Sequence, residues 1–193
     1  MIEPSNPKQA AWEEALTIFG KSDINMLETG RIRNPNWKLT DGDSSNYLTQ
    51  RSIIKRLYSI DNDSENFSGY STSELYCRDT MSVLQLEKME FINGHSVDCI
   101  RNLNVKIDVA LLDSANDPNL IYDEFIQVLD KVSDTSLIII DDTTHPGVKG
   151  DRVIAMLDEI GIEYIKKDAN PSDCIYFFLD SDKISRIKEY DNK

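Results

Sequence analysis

Acids close most of the apolar runs in this chain. Glu28 follows Ile24-Asn25-Met26-Leu27, Asp61 follows Leu57-Tyr58-Ser59-Ile60, Asp113 ends "IDVALLD", and Asp141 with Asp142 ends "SLIIIDD". Each placement carries a definite chemistry. An acid at the end of a second strand, here Asp61, can accept hydrogen bonds from both hydroxyls of a ribose. The same geometry serves nicotinamide-binding folds, so it indicates a nucleoside and no more. Asp113, Asp141 and Asp142 would repel one another unless paired or metal-bound. Oxygen-only ligands imply a hard cation, Mg²⁺ first, which would hold a substrate hydroxyl and promote its deprotonation. The plainer alternative is that Asp113 touches only a cofactor or substrate and Asp142 caps a loop.

The loop after the first acid reads "ETGRIRNPNWKLTDGDSS", from Glu28 to Ser45. Its glycines, Gly30 and Gly42, stand too far apart for a dinucleotide fingerprint, and no G-x-x-x-x-G-K-[ST] is present. Gly30 would let the backbone approach a ligand, or is an ordinary turn glycine. A cofactor with a ribose but no pyrophosphate needs no tight glycine fingerprint, and S-adenosylmethionine is such a cofactor. Its ammonium and sulfonium suit an acidic loop containing Glu28 and Asp41 or Asp43. Trp37, in the insert, either covers cofactor or substrate or packs the loop on the body.

These residues must be carried by a folded body, and the chain is long enough to make one. Its 193 residues are 40% hydrophobic and 28% charged, which fits one full-sized globular domain over 1–193. A net charge of -13 repels phosphate backbones and argues against nucleic-acid binding. No apolar run approaches the ~20 residues that span a bilayer. Met1-Ile2-Glu3-Pro4-Ser5 lacks the order of a signal peptide, so a cytoplasmic address is expected. The 3 cysteines, Cys77, Cys99 and Cys174, are scattered and suggest neither a disulfide framework nor a zinc knuckle.

Apolar periodicity predicts the elements. Helices are expected over 7–21, from a cap at Asp43 or Ser44 toward Arg56, over 96–103 with Ser96 as cap, from Asp117-Pro118 through Val132, over 151–160 and over 182–193. Strands are expected over 24–28, 57–61, 89–92, 107–113, 136–142, 163–167 and 174–179. The stretch from Ser64, disturbed by Gly69, to Leu86 has no clear period. Alternation with short links predicts an α/β fold with a mostly parallel sheet, helices on both faces and ligands beyond the carboxyl strand ends. The N-terminal helix over 1–22, with Trp12 and Phe19, packs on the core at 24–180 or on a second subunit of a homodimer. Residues 181–193 form a polar helical tail.

Taken in order, the motifs resemble the class I S-adenosylmethionine-dependent methyltransferases, small-molecule O-methyltransferases among them. "ETGRIRNPNWKLTDGDSS" is similar to the first motif of a subgroup with an R-x-P-x-W insert, and "LYSIDND" to the second. "FINGHSVDCI" looks like the adenine-packing segment, and "IDVALLDSAND" with "SLIIIDDTTHPGVKG" like the active-site strands. The resemblance covers about 24–180. It implies a Rossmann-like, seven-stranded sheet with an antiparallel last strand. It implies a cofactor held by Glu28, Gly30, Gly42, Ser44, Asp61, Gly94, His95, Ser96 and Asp113, with Asp61 on the ribose and Gly94, His95 and Ser96 on the adenine. It also implies Mg²⁺ on Asp113, Asp141 and Asp142, as in catechol and macrolide-sugar enzymes.

The sequence departs from those enzymes at the base. Macrolide-sugar enzymes carry a histidine, and catechol-type enzymes a lysine, where Asn116 stands. His145, in the loop after the fifth strand, can serve as general base beside Asp113, or is structural. The expected activity is S-adenosylmethionine-dependent methylation of a small-molecule hydroxyl, on a sugar or related metabolite, assisted by Mg²⁺. A noncatalytic cofactor- or partner-binding protein is the alternative. A nicotinamide-dependent oxidoreductase is the third, and it lacks its pyrophosphate glycines.

Overall fold

The structure, a computed structural model, describes residues 3–31, 43–62, 72–144, 149–168 and 173–192. The chain begins with α1 (Pro7–Phe19). Asn6 caps it by accepting from the Gln9 N–H, and Gly20 closes it with φ 69. There follow β1 (Ile24–Thr29), α2 (Ser44–Thr49), β2 (Ile54–Asp61), α3 (Ser73–Thr80), α4 (Val83–Leu86), β3 (Met89–Asn93), α5 (Ser96–Asn102), β4 (Ile107–Leu112), α6 (Pro118–Val128), β5 (Val132–Ile140), α7 (Asp151–Glu159), β6 (Ile165–Asp168), β7 (Asp173–Asp180) and α8 (Ser181–Asp191).

The strands form one 7-stranded sheet in the order β3-β2-β1-β4-β5-β7-β6. All pairings among β1 to β5 are parallel, and β7 runs antiparallel to both β5 and β6. This is the Rossmann-like α/β architecture that the alternation and the motifs predict. The order reverses between β1 and β4, so the ligand crevice lies beyond their carboxyl ends.

The central strands are apolar on both sides because both faces are covered. Successive side chains take opposite faces. Leu27, Ala110, Leu112 and Ile138 join one core with Ile121 and Phe125 of α6, Val153 of α7 and Ile187 of α8. Met26, Val109, Leu111 and Leu137 join the other with Trp12 and Leu16 of α1, Leu48 of α2 and Tyr76 of α3. Helix α1 therefore packs on its own sheet: Trp12 is fully buried, and Phe19 stacks on Phe178 of β7 with ring centroids 6.4 Å apart.

Several boundaries differ from expectation. The helix expected to run toward Arg56 stops at Thr49, where the Arg51 N–H closes on Leu48 O at 3.0 Å. Ile54 pairs instead with Ile24 as the first residue of β2, a site that suits a β-branched side chain. Strand β5 starts at Val132 rather than Ser136, with a register shift against β4 between Ile107 and Val109. His95, not Ser96, is the N-cap residue of α5. The unparsed stretch contains α3, capped by Thr72, and α4, which opens on a capping box between Ser82 and Gln85.

Candidate active site at the carboxyl strand ends

The turn after β1 shows why a glycine stands there. Gly30 has φ +80, and a Cβ on it would lie 2.3 Å from the Asp113 carbonyl oxygen. The two strand ends at the switch point thus approach backbone to backbone, which no larger residue permits. Asp113 completes the approach, its N–H donating to the Thr29 carbonyl at 3.1 Å. Next to it, Arg31 is buried and reaches across β2. Its Nη2 donates to Ile92 O at 3.1 Å and to Asn93 Oδ1 at 2.7 Å, with the guanidinium over the Phe91 ring.

Asp61 is the last residue of β2, facing Asn93 across the ladder. It is half-buried. Ser73 Oγ donates to its Oδ2 at 2.9 Å; Oδ1 takes no hydrogen bond among the described residues. The Gly94 N–H donates to the Asp61 carbonyl at 3.0 Å. That bond brings the turn before α5, with exposed His95 and half-buried Ser96, alongside the acid.

Two carboxyls lie inside the wall of the crevice. Glu28 is fully buried. It accepts from Ser45 Oγ at 2.5 Å, from Ser59 Oγ at 2.9 Å and from Ser44 Oγ. Burial pushes its pKa up to about 7, against those hydroxyls and the Arg31 charge, which favour the ionised form. The expectation placed this carboxylate before a cofactor ammonium. In the structure its oxygens fasten the start of α2 to β1 and β2, with Ser44 among their donors. Glu124 of α6 is the counterpart on the other face, also fully buried. It accepts from Thr29 Oγ1 at 2.8 Å and from Ser96 Oγ, and burial pushes its pKa up as well. Glu124 is absent from the sequence expectation. Its signal was an acid on the apolar face of the helix, between Ile121 and Phe125.

The structure brings Asp113, Asp141 and Asp142 together, with carboxylate oxygens within 4.8 Å of one another. It also brings two lysines to them. Lys8 of α1 donates to Asp141 Oδ2 at 2.6 Å and to Asp142 Oδ1 at 3.0 Å. Lys149 donates to Asp142 Oδ2 at 3.0 Å and to Asp113 Oδ1. Both lysines are only 3% exposed. Burial works against each ammonium, yet attraction to the three acids outweighs it and holds both above the ordinary lysine range. Burial, then the Asp113 charge, pushes Asp141 up. Its Oδ1 is buried without a hydrogen-bond partner among the described residues.

With Asp141 Oδ2, both oxygens of Asp142 and Asp113 Oδ1 taken by lysines, this donor set fits Mg²⁺ poorly. An ion of two charges about 4 Å from a buried ammonium is repelled by roughly 8 kcal/mol at an effective dielectric of 20. It would therefore compete with Lys8 and Lys149, each of which donates to two of the carboxylate oxygens. With both lysines in place two carboxylate oxygens, Asp141 Oδ1 and Asp113 Oδ2, are without a hydrogen bond among the described residues, so the ion would have to draw the rest of its octahedral shell from water. Gly42, Asp41, Trp37 and His145, which carried expected roles, lie outside the described residues.

No family model matches the chain, and no curated protein matches it. Solved structures do. The chain is similar to the O-methyltransferase TomG from Streptomyces achromogenes, involved in tomaymycin synthesis and solved with SAM: 17% sequence identity, 90% of this chain and 79% of that one, TM-score 0.61. It is similar to the MycE methyltransferase of the mycinamycin pathway, solved with Mg and SAH: 12% identity, 90% of this chain and 50% of that one, TM-score 0.59. An rRNA methylase from Streptococcus thermophilus matches at 15% identity over 93% of this chain and 98% of that one, TM-score 0.55. At such identities the likeness establishes the fold alone. It is the fold of class I S-adenosylmethionine-dependent methyltransferases, as the order of motifs implied.

Proposed function

We propose that this protein transfers a methyl group from S-adenosylmethionine to a hydroxyl oxygen of a small molecule. The observation that carries the reading is Asp61. It ends β2 beside the switch point, with one carboxylate oxygen unbonded among the described residues, and the sequence has no G-x-G-x-x-G or G-x-x-x-x-G-K-[ST]. That combination suits a ribose diol without a pyrophosphate. When bound, S-adenosylmethionine supplies an electrophilic methyl group on a sulfonium.

The chain's own residues divide the remaining work. Asp61 would hold the ribose, and the turn of Gly94, His95 and Ser96 would receive the adenine. Gly30 lets the turn after β1 close against the Asp113 backbone, and the rest of the cofactor would lie over that turn. Glu28 and Glu124 act one step back: they hold the loops that present these groups. Positioning the acceptor in line accounts for most of the expected acceleration.

A small acceptor is favoured over RNA, although one similar structure is an rRNA methylase, because the net charge of -13 opposes a phosphate backbone. No described helix is long and apolar enough to cross a membrane. The carboxylate oxygens taken by lysines favour a second reading, binding without turnover. Isothermal titration with S-adenosylhomocysteine and with NAD, followed by transfer of labelled methyl to a panel of sugars and other hydroxyl compounds, separates the readings. Binding of S-adenosylhomocysteine with turnover supports the proposal, and binding with no turnover supports the second reading. NAD binding in its place would overturn both.

A further inference from the structure

We propose that Lys8 and Lys149 are the resident cations of the Asp113–Asp141–Asp142 cluster, standing where a divalent ion would otherwise be required, so that the site neither needs nor takes one. The proposal stands on the charge network and not on the reaction, and it holds whatever the acceptor is.

The ion pairs form an open chain with Asp142 at its middle. Lys8 joins Asp141 to Asp142, and Lys149 joins Asp142 to Asp113. Asp142 is the hub, giving one oxygen to each ammonium. To do so its backbone adopts φ 54, a left-handed conformation that non-glycine residues seldom take. Such strain persists only where the surroundings hold it in place, and here the two ammonium groups, one on each oxygen, hold it. Among the described residues, three carboxylates face two ammonium groups. The mutual repulsion that called for a metal is thus offset by the chain itself.

The lysines come from distant segments. Lys8 lies in the first turns of α1, and Lys149 lies one residue before Gly150, the N-cap residue of α7. Gly150 leaves room for this approach: a Cβ on it would sit 2.5 Å from Thr143 Cγ2. Lys8 and Lys149 are positioning residues. They fix the ends of β4 and β5 as a coordinated ion would, through hydrogen bonds 2.6–3.0 Å long where an Mg²⁺–oxygen bond would be about 2.1 Å.

The test is metal binding, read without any activity. Wild-type protein is titrated with Mn²⁺ up to about 1 mM, the weak end of biological divalent affinity, and free Mn²⁺ is followed by electron paramagnetic resonance. No saturable binding is expected, and the melting temperature does not respond to Mn²⁺. The Lys8→Met/Lys149→Met double variant exposes three unbalanced carboxylates. It is expected to bind one Mn²⁺ at least tenfold more tightly than wild type, to melt higher when Mn²⁺ is added, and to lose both responses when Asp142→Asn is added.

Stoichiometric binding by wild type that Asp142→Asn abolishes would overturn the proposal. So would a folded double variant that still ignores Mn²⁺, since the lysines would then not be what excludes it. Should the double variant fail to fold, the wild-type titration with its Asp142→Asn control decides alone. S-adenosylhomocysteine binding, measured separately in the same wild-type sample, reports on the functional reading independently.

Discussion

Replacing Glu28 with Gln should change how stability depends on pH in a direction opposite to the usual acid effect. The Glu28 carboxyl is fully buried under Ser44, Ser45 and Ser59, and its pKa rises from 4.5 to about 7 on folding. Between those values the native state binds the proton and the unfolded state does not. Stability contributed at this site is therefore greatest below the unfolded value, falls as pH rises through the interval, and is level above about 7. The displacement corresponds to roughly 3 kcal/mol. Gln carries no charge to desolvate, so the variant keeps its stability where the wild type loses it. The other acids titrate in both proteins, so the difference between them isolates this group. Urea unfolding at intervals from about pH 4.5 to about pH 8 would show the variant gaining on the wild type by roughly 3 kcal/mol across the range, whatever constant offset the amide introduces. Parallel curves would refute the argument and mean that the three hydroxyls keep the carboxylate ionised at no net cost.

Other outcomes follow from the same geometry. Asp61→Ala should weaken S-adenosylhomocysteine binding by more than ~1 kcal/mol, because a charge-assisted pair is lost, with little change in melting temperature; unchanged affinity in a calorimeter would move the ribose elsewhere. Gly30→Ala must push its Cβ out of the Asp113 carbonyl and hold a strained φ, so a loss of at least about 2 kcal/mol is expected by urea unfolding, together with loss of cofactor binding. Trp12→Ala should cost about 3–5 kcal/mol, since the ring is fully buried in the core beneath α1; a smaller loss would mean that α1 is only loosely docked.

The sheet was legible in the sequence because burial on both faces leaves a strong mark. "IDVALLD" and "SLIIIDD" read as central strands, and "DP" at Asp117-Pro118 announces α6 with its cap and first residue in order. Helix ends were less legible. Thr49 gives no stop signal in the sequence, and its hydroxyl bonds back to Ser45 O at 2.7 Å only once the helix exists. The S-x-x-Q of Ser82 and Gln85 was a readable start signal, obscured by the irregular residues before it. In the site, the acids were legible because they end apolar runs. Their partners were not: Lys8 is separated from Asp141 by 133 residues, and no local pattern marks a lysine that will be buried. The same holds for Glu124, whose bond to Thr29 joins residues 95 apart.

The Lys8 contact also sets an order of events. Helix α1 is synthesised long before β5 exists, and closing the intervening loop of 133 residues costs roughly 4 kcal/mol of chain entropy. A nascent chain therefore carries α1 with its Trp12 face covered by nothing from β5 or β7 until most of the sheet has been made. The acids at the end of β5 emerge before Lys149, their second counterion, has been made. The strand-end site is thus completed by one of the most non-local contacts in the fold, and its assembly reports that α1 and the end of β5 have met.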